Sequence, residues 1–138
     1  MKKNILLAGL VLILANFSFA QTTNYRVVFD MTSSDSVNQQ SLIRQLTGIR
    51  KSDPSSQLEV VVYSHGLDFV LKGKTSQEPA IVQLLADKNV SFKVCEATMK
   101  RRNIDKTQLI AGVEIVPDGI YEIVTKQQAG WGYIKVAH

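Results

Sequence analysis

The sequence predicts an α/β domain of three layers, in which a mostly parallel five-stranded sheet lies between helices on both faces. Three observations support this fold class. Five short apolar runs alternate with helical patterns along the chain, which is the order found in repeated strand–helix–strand units. The run Leu58–Tyr63 is nearly continuous and β-branched, as expected for a strand buried on both faces. The chain has 138 residues, which is the length of one domain.

Residues 1–20 have the layout of a secretory signal peptide. Two lysines form a positive start, Ile5–Ala15 is an apolar run of 11 residues, and Ser18 and Ala20 are the small residues of a cleavage site. The run is short for a bilayer crossing, which disfavours an uncleaved membrane anchor. We therefore expect cleavage after Ala20, a single domain over residues 21–138, and a periplasmic or secreted product without stable membrane insertion.

The first half of the mature chain predicts two strands around one helix. Tyr25–Met31 is a short strand, and the polar cluster Thr32–Asp35 supplies residues that cap helices. A helix is predicted over Val37–Arg50, because its apolar residues fall on one helical face. Loop residues follow, and Leu58–Tyr63 is the second strand.

The middle of the chain predicts two more helices and the third strand. Leu67–Leu71 is expected to form a short helical turn, and the polar, glycine-containing segment Lys72–Pro79 to form a mobile loop. Ala80–Asp87 has helical apolar spacing, and Val90–Cys95 is a strand. A helix over Glu96–Arg102 then starts directly where that strand ends.

The last elements are a strand, a helix and an edge strand. Val113–Val116 is the fourth strand, and Pro117 suits the first position of a helix, where a backbone N–H is not needed. That helix is expected to run to about Ala129, with Gly130 as its stop. Tyr133–Val136 is the fifth strand, although the order of the strands in the sheet cannot be deduced from these patterns.

Three residues of chemical interest fall at the ends of predicted strands, namely Asp30, His65 and Cys95. Ligand sites in open α/β sheets lie beyond the carboxyl ends of the strands. His65 could orient a substrate or exchange a proton with Cys95, or it could simply be a hydrogen-bonded residue at a strand terminus.

Cys95 is the strongest candidate for chemistry. It lies between a strand and a helix, and Lys100, Arg101 and Arg102 follow within two turns. Helix N-termini and nearby cations both favour the nucleophilic thiolate, whereas the adjacent Glu96 disfavours it. The alternatives are that Cys95 is a small buried apolar residue and that the basic triplet is a solvated helix face.

Composition limits the classes of partner and cofactor. Loss of two leader lysines lowers the net charge from +4 to +2, which gives little support for a nucleic-acid partner. A single cysteine excludes an internal disulfide and a multi-cysteine zinc module. No phosphate-binding glycine motif is present, and Cys95, His65 and His138 lack metal-ligand spacing. We expect neither a cofactor nor a bound metal ion.

Three segments resemble the DsrE/DsrF-like family. Phe92–Ile104 is similar to the family's cysteine segment, and Val60–Gly66 to its apolar strand ending in His-Gly. The C-terminal pattern of small family members is matched by Val116–Ile120 and by Gln128, Gly130, Trp131, Gly132 and Tyr133. The three motifs occur in the same order over residues 25–136.

The resemblance implies a YchN-like fold with a parallel five-stranded sheet, assembled as trimers or hexamers. It also implies that Cys95 carries sulfane sulfur as a persulfide, with residues 98–102 shaping its electrostatics and His65 in the His-Gly motif. The family turn has glycine where this chain has Asn103, and asparagine tolerates the left-handed conformation. Family members that relay sulfur inside the cell cannot share their partners with an exported protein.

Three functions therefore remain open for an exported protein of this kind. The first is a sulfur carrier or sulfurtransferase-like protein acting through Cys95 with an unknown donor and acceptor. The second is a non-catalytic oligomeric module that binds a small molecule near His65 and Cys95. The third is a thiol-redox sensor, in which the lone thiol is oxidised.

Overall fold

The computed structural model describes residues 24–136 and confirms the predicted fold class. The described sheet has five strands, and every neighbouring pair is parallel. Their order across the sheet is β4-β3-β2-β1-β5, so the last strand pairs with the first. The strands are β1 (Arg26–Met31), β2 (Gln57–Val62), β3 (Val90–Cys95), β4 (Glu114–Val116) and β5 (Gly132–Val136).

Four α-helices and two 3-10 segments connect the described strands. The predicted signal peptide, residues 1–20, and His138 lie outside the described residues. Between residues 24 and 136, no helix has both the length and the apolar character needed to cross a membrane. The helices are α1 (Ser36–Ser52), α2 (Glu78–Leu85), α3 (Glu96–Arg101) and α4 (Gly119–Gln128), and the 3-10 segments are Ser64–Val70 and Lys106–Gln108.

The first helix begins and is anchored as its sequence suggests. Asp35 is the N-cap of α1, and its carboxylate accepts a 2.6 Å hydrogen bond from the backbone N–H of Val37. Arg50 in the last turn donates from Nε to Asp87 Oδ2 at 2.7 Å, and from Nη1 to the carbonyl of Ser56 at 2.6 Å. This arginine therefore ties the end of α1 to the turns that precede β2 and β3.

Two predicted helix starts were wrong, and both corrections involve proline. Pro117 does not open a helix, because α4 begins at Gly119 with Asp118 as its N-cap. The Asp118 carboxylate accepts from the N–H of Tyr121 at 2.9 Å, which is the stronger start signal. Pro79 was placed in a loop before Ala80, but it occupies the first turn of α2.

The predicted loop over Lys72–Pro79 shortens to the residues before Glu78 and is held by hydrogen bonds. The Gly73 N–H donates to Glu78 Oε2 at 2.7 Å, and Thr75 Oγ1 donates to Gln39 Oε1 on α1 at 3.2 Å. The Lys72 N–H donates to the Gln108 carbonyl at 2.9 Å. Mobility of this segment remains a prediction.

One face of the sheet, here called the apolar face, carries most of the hydrophobic core. Alternate strand residues such as Phe29, Val60 and Phe92 are fully buried on it. The helices α1, α2 and α3 and the first 3-10 segment cover this face with side chains that include Leu42, Leu46, Leu67, Phe69, Ile81 and Met99.

The opposite face, here called the polar face, is covered by α4. Its buried apolar cluster contains Val28, Val61 and Ile123, with Tyr63 and Trp131 packed against it. Polar or reactive strand residues that alternate onto this face include Asp30, Glu59, Ser91, Lys93, Cys95, Tyr133 and Lys135. Helices thus lie on both faces, and the candidate residues Asp30 and Cys95 lie on the polar one.

Candidate functional site at Cys95

Cys95 lies where the sequence places it, at the carboxyl end of the sheet. It is the last residue of β3, it pairs with Val116 of β4, and it is the N-cap of α3. Its side chain is 5% exposed and makes no capping hydrogen bond to the helix. The strand alternation turns it toward the polar face, because Val94 before it packs into the apolar core.

A glycine allows α4 to pack closely beside Cys95. A Cβ atom built on Gly119 would lie 3.3 Å from Cys95 Cβ, 3.4 Å from Tyr63 Cδ1 and 3.2 Å from Val61 Cγ1. The first residue of α4 therefore approaches the ends of β2 and β3 so closely that even a methyl group at this position would crowd its neighbours.

Tyr63 belongs to a hydrogen-bond network centred on Asp30, which is 4% exposed. Asp30 Oδ2 accepts from the hydroxyl of Tyr133 at 2.7 Å, from the hydroxyl of Tyr63 at 3.2 Å and from Lys135 Nζ at 3.2 Å. Lys135 Nζ also donates to Thr32 Oγ1 at 3.2 Å. Asp30 Oδ1 is buried without a partner among the described residues.

Burial and Asp30 together keep both phenols neutral. Burial, followed by the charge of Asp30 and the hydrogen bond to it, raises the pKa of Tyr63 to about 12. The pKa of Tyr133 is also raised to about 12, by burial and then by its hydrogen bond to Asp30. Cys95 and Asp118 contribute further to the raised pKa of Tyr63.

The basic triplet after Cys95 makes contacts of its own. Lys100 forms an ion pair with Glu96 at 3.0 Å, and Arg102 forms one with Asp68 at 2.7 Å. Arg101 donates from Nη2 to Thr98 Oγ1 at 3.1 Å. The structure therefore brings none of the three cations into a recorded hydrogen bond or ion pair with the thiol.

His65 lies in the 3-10 segment after β2, and its side chain is exposed. Its neighbour Gly66 packs against the end of β1, where a Cβ would lie 2.5 Å from the carbonyl oxygen of Met31. The glycine of the His-Gly motif is thus required by packing. In the part of the chain that the structure describes, no hydrogen bond or ion pair of the His65 side chain joins it to Cys95.

Thr98, the first residue of the segment 98–102 that the resemblance places around Cys95, is a buried hydrogen-bond acceptor. It is 2% exposed, and its Oγ1 accepts from the backbone N–H of Ser64 at 3.3 Å as well as from Arg101. Ser64 has a φ of 55°, which is uncommon for a non-glycine residue. The Thr98 hydroxyl therefore ties the segment that carries His65 to the helix that starts at Cys95.

The turn after α3 forms as the resemblance implies. Asn103 has a φ of 52°, and its N–H donates to the Lys100 carbonyl at 3.2 Å, while the Ile104 N–H donates to the Met99 carbonyl at 2.9 Å. This is the hydrogen-bond pattern of a Schellman motif. Asparagine thus replaces glycine without loss of the turn.

A second polar cluster on the same face surrounds Glu59, which is 2% exposed. Its Oε2 atom lies 2.8 Å from Lys126 Nζ and accepts from Ser91 Oγ at 3.3 Å. Burial raises the pKa of Glu59, while Lys126 acts in the opposite direction. Lys126 Nζ also lies 4.5 Å from the centre of the Trp131 ring, within the range of a cation–π contact.

No group of three or more His, Cys, Asp or Glu side chains within residues 24–136 is arranged to hold a metal ion. His65 and Cys95 remain separate positions at the carboxyl edge, and His138 is not described.

The protein is an α/β protein with an open parallel sheet, and its thiol lies between the third strand and the following helix. Comparison with known proteins identifies the family. The sequence profile of the DsrE/DsrF-like family matches residues 10–136. The chain therefore belongs to the DsrE/DsrF-like family, which is associated with sulfur relay. Among curated proteins, no sequence match to this chain was found.

Solved structures show the same fold. The protein of unknown function MTH1491 from Methanobacterium thermoautotrophicum is 30% identical, with a TM-score of 0.76 over 80% of this chain and 98% of its own. The ychN protein from E. coli is 19% identical, with a TM-score of 0.68 over 81% of this chain and 98% of its own. The protein BT1422 of unknown function from Bacteroides thetaiotaomicron is 12% identical, with a TM-score of 0.68 over 84% of this chain and 98% of its own. The last two comparisons support the YchN-like fold alone.

Proposed function

We propose that this chain is an exported sulfur carrier or sulfurtransferase-like protein that holds sulfane sulfur as a persulfide on Cys95. The observation that carries the proposal is the position of this thiol at the end of β3, directly before the first turn of α3. Ligand sites of parallel sheets lie at this edge. Membership of a family associated with sulfur relay supports the same chemistry.

The chemistry needs no oxidant or metal ion. The Cys95 thiolate attacks the outer sulfur of a donor persulfide, a new S–S bond forms, and the donor leaves as a thiolate with the bonding electron pair. An acceptor thiolate then attacks the outer sulfur on Cys95, and the Cys95 thiolate leaves in turn. Each step moves one neutral sulfur atom between two thiolates, so the protein is regenerated.

Exposed polar side chains near Cys95 can meet a donor or acceptor. Gly119, which packs closely against Cys95, carries no side chain that could cover the thiol. His65, Lys100, Arg101 and Arg102 have exposed side chains, and we assign them auxiliary roles in receiving the donor or acceptor.

Intact mass spectrometry tests the proposal. After treatment with inorganic polysulfide, we expect the protein to gain the mass of one sulfur atom and to lose it on treatment with a reducing thiol. Cys95→Ser is the control and should gain nothing. No added sulfur on the folded wild-type protein would contradict the carrier function, and a gain of oxygen alone would support the thiol-redox sensor instead.

Export is the second part of the proposal, and the charged, apolar and small-residue pattern of residues 1–20 supports it. Expression of the full chain in a bacterium followed by fractionation tests it. We expect mature protein beginning at Gln21 in the periplasm or medium. Uncleaved protein confined to the cytoplasm would contradict export.

We also propose that the protein forms a homo-oligomer. The family resemblance implies a trimer or a hexamer. Ile120, Tyr121 and Val124 of α4 lie near one another on the helix surface and are 60%, 74% and 44% exposed. Such an apolar patch also suits the alternative of an oligomeric binding module. Sedimentation should show an oligomer that Tyr121→Glu weakens, whereas the control Val82→Glu on α2 should not. A wild-type monomer would contradict the assembly.

A further inference from the structure

A groove of about 520 Å³ lies between α1 and the edge of the sheet formed by β5. Its lining is largely apolar and includes the half-buried side chains of Ile49 and Ile134 and the exposed ring of Tyr25. In the described sheet, β5 pairs with β1 alone, so its outer edge is open. An open strand edge beside an apolar groove is a surface onto which another chain can pack.

The residues of α1 that face this groove form one stripe along the helix. Arg44, Gly48 and Ser52 all line the groove, and their spacing of four residues places them above one another. Gly48 lies in the middle of the stripe, is exposed, and has nothing within 4 Å of its Cβ position. The middle of the stripe is therefore a gap through which side chains of another molecule can reach the apolar lining.

The two ends of the stripe carry opposite charges. Arg44 is exposed and forms no ion pair within residues 24–136, where its side chain donates only to Gln40 Oε1 at 3.4 Å. At the other end, Asp53 follows Ser52 as the C-cap of α1 and also forms no ion pair with the described residues. Hydrogen bonds from Ser55 hold the pKa of Asp53 below its usual value, so this carboxylate is charged at neutral pH.

We propose that this groove is a twofold interface with a second copy of this chain. Gly48 lies midway between Arg44 and Asp53, so a twofold axis near Gly48 sets α1 antiparallel to the α1 helix of the partner. Arg44 then faces the partner's Asp53, and Asp53 faces the partner's Arg44. A twofold interface must be complementary to itself, and a positive and a negative end on either side of an apolar centre meet that requirement.

The interface is separate from the patch on α4 and from Cys95. The groove lies on the side of α1, which covers the apolar face, whereas α4 covers the polar face. A closed ring formed through α4 and a twofold contact formed through α1 would together give a hexamer, and the twofold contact alone would give a dimer. The proposal therefore rests neither on the sulfur chemistry nor on the α4 patch.

Sedimentation of Gly48→Lys tests the interface without a clash inside the chain, because nothing lies near the Cβ position of this glycine. The lysine fills the gap in the stripe, so we expect the mass of the wild-type assembly to fall twofold. Thr47→Lys is the matched control, since Thr47 is exposed on α1 but does not line the groove, and it should leave the mass unchanged. An unchanged mass in Gly48→Lys, an equal fall in both variants, or a wild-type monomer would overturn the interface.

Two charge reversals distinguish a second copy from any other occupant of the groove. Arg44→Glu and Asp53→Lys each bring like charges together in a twofold pair, so each variant alone should sediment at half the wild-type mass. An equal mixture should recover the wild-type mass, because both ion pairs of a mixed pair join opposite charges. No recovery between two variants that are folded by circular dichroism would overturn the proposal, and if either is unfolded the result for Gly48→Lys decides.

Sulfur loading of Cys95 separates this proposal from the carrier function. Measured by mass in the same samples, loading should be equal in Gly48→Lys and the wild-type protein. A twofold fall in assembly mass without any loading would sustain the interface and contradict the carrier function. Normal loading without a fall in mass would do the reverse.

Discussion

The two faces of the sheet are built from the same strands but differ in what they bury. On the apolar face, Phe29, Val60 and Phe92 pack beneath three helices and a 3-10 segment. On the polar face, a single helix covers a small cluster, and buried carboxylates at Asp30 and Glu59 lie in the same strands. Burying a charge is costly unless it is paired, and here Lys135 pairs with Asp30 and Lys126 with Glu59. The stability of the polar face therefore depends on these specific contacts, whereas that of the apolar face depends on packing.

The largest expected effect comes from the apolar face. Phe92→Ala should lower the free energy of unfolding by about 3–5 kcal/mol, because it leaves a cavity in a fully buried layer. Val82→Ala, at a side chain that is 51% exposed, is the control and should change stability by no more than about 0.5 kcal/mol. Urea denaturation measures both values. Similar losses for the two variants would show that the apolar face is not the dominant core.

Asp30→Asn tests the polar network with little change in shape. It should lower the free energy of unfolding by about 1.5–3 kcal/mol, because three donors lose a charged acceptor. Denaturation at neutral pH measures this loss. A loss below about 0.5 kcal/mol would show that the network is only a set of exposed contacts.

The same network predicts a loss of stability at alkaline pH. The folded-state pKa values of Tyr63 and Tyr133, about 12, lie above the unfolded value of 10.0. Their contribution is therefore fully present below about pH 10 and is lost as the pH rises toward about 12. Phenol absorbance during alkaline titration measures the ionisation, and Asp30→Asn should shift it to lower pH. Ionisation of both phenols near pH 10 in the folded protein would contradict the network.

Gly119→Ala tests the close packing beside Cys95. The new methyl group would lie 3.2–3.4 Å from three side chains, so we expect a loss of about 1–3 kcal/mol from overpacking and slower sulfur loading as the neighbours of the thiol shift. Gly48→Ala is the matched control, because nothing lies within 4 Å of its Cβ position in α1, and it should stabilise the helix by about 0.5–1 kcal/mol. Unchanged loading in Gly119→Ala would contradict a role for this close packing in placing the thiol.

The smallest effect is expected at His65. Because its side chain is exposed, His65→Ala should change the free energy of unfolding by less than about 0.5 kcal/mol. As expected for an auxiliary residue, its loss should slow sulfur loading only slightly. Gly66→Ala, whose Cβ would lie 2.5 Å from a backbone oxygen, should destabilise the fold. A marked loss of loading in His65→Ala would show that this histidine takes part in proton transfer.

Local patterns predict the strands well because each strand is a short, separate apolar run. The third strand has the predicted bounds, and Cys95 lies at its end. The predicted start of α4 was wrong because two start signals occur at adjacent residues. Proline favours the first position of a helix, but Asp118 caps the helix with its carboxylate, so the helix starts after Asp118 and not at Pro117. Such competition is decided by side-chain geometry, which a sequence does not contain.

The site itself was predicted only in part. Asp30 and Cys95 were both placed at strand ends, but the network of Asp30 with Tyr133 and Lys135 joins residues 103 and 105 positions apart. It exists because β5 pairs with β1, and the order of strands is not encoded in any local pattern. The basic triplet was expected near the thiol, whereas Lys100 and Arg101 contact Glu96 and Thr98 within α3 itself. The contact of Arg102 with Asp68 depends on tertiary packing.

The central claim is that Cys95 takes up and returns sulfane sulfur. The most direct test is one cycle of loading and unloading with isotope-labelled sulfur. The mature protein is loaded with isotope-labelled polysulfide, desalted and mixed with a small thiol, and peptide mass spectrometry follows the label. The account predicts label on the peptide containing Cys95, its stoichiometric transfer to the thiol, and no label in Cys95→Ser. Label that never reaches Cys95, or that stays there in the presence of excess thiol, would contradict it.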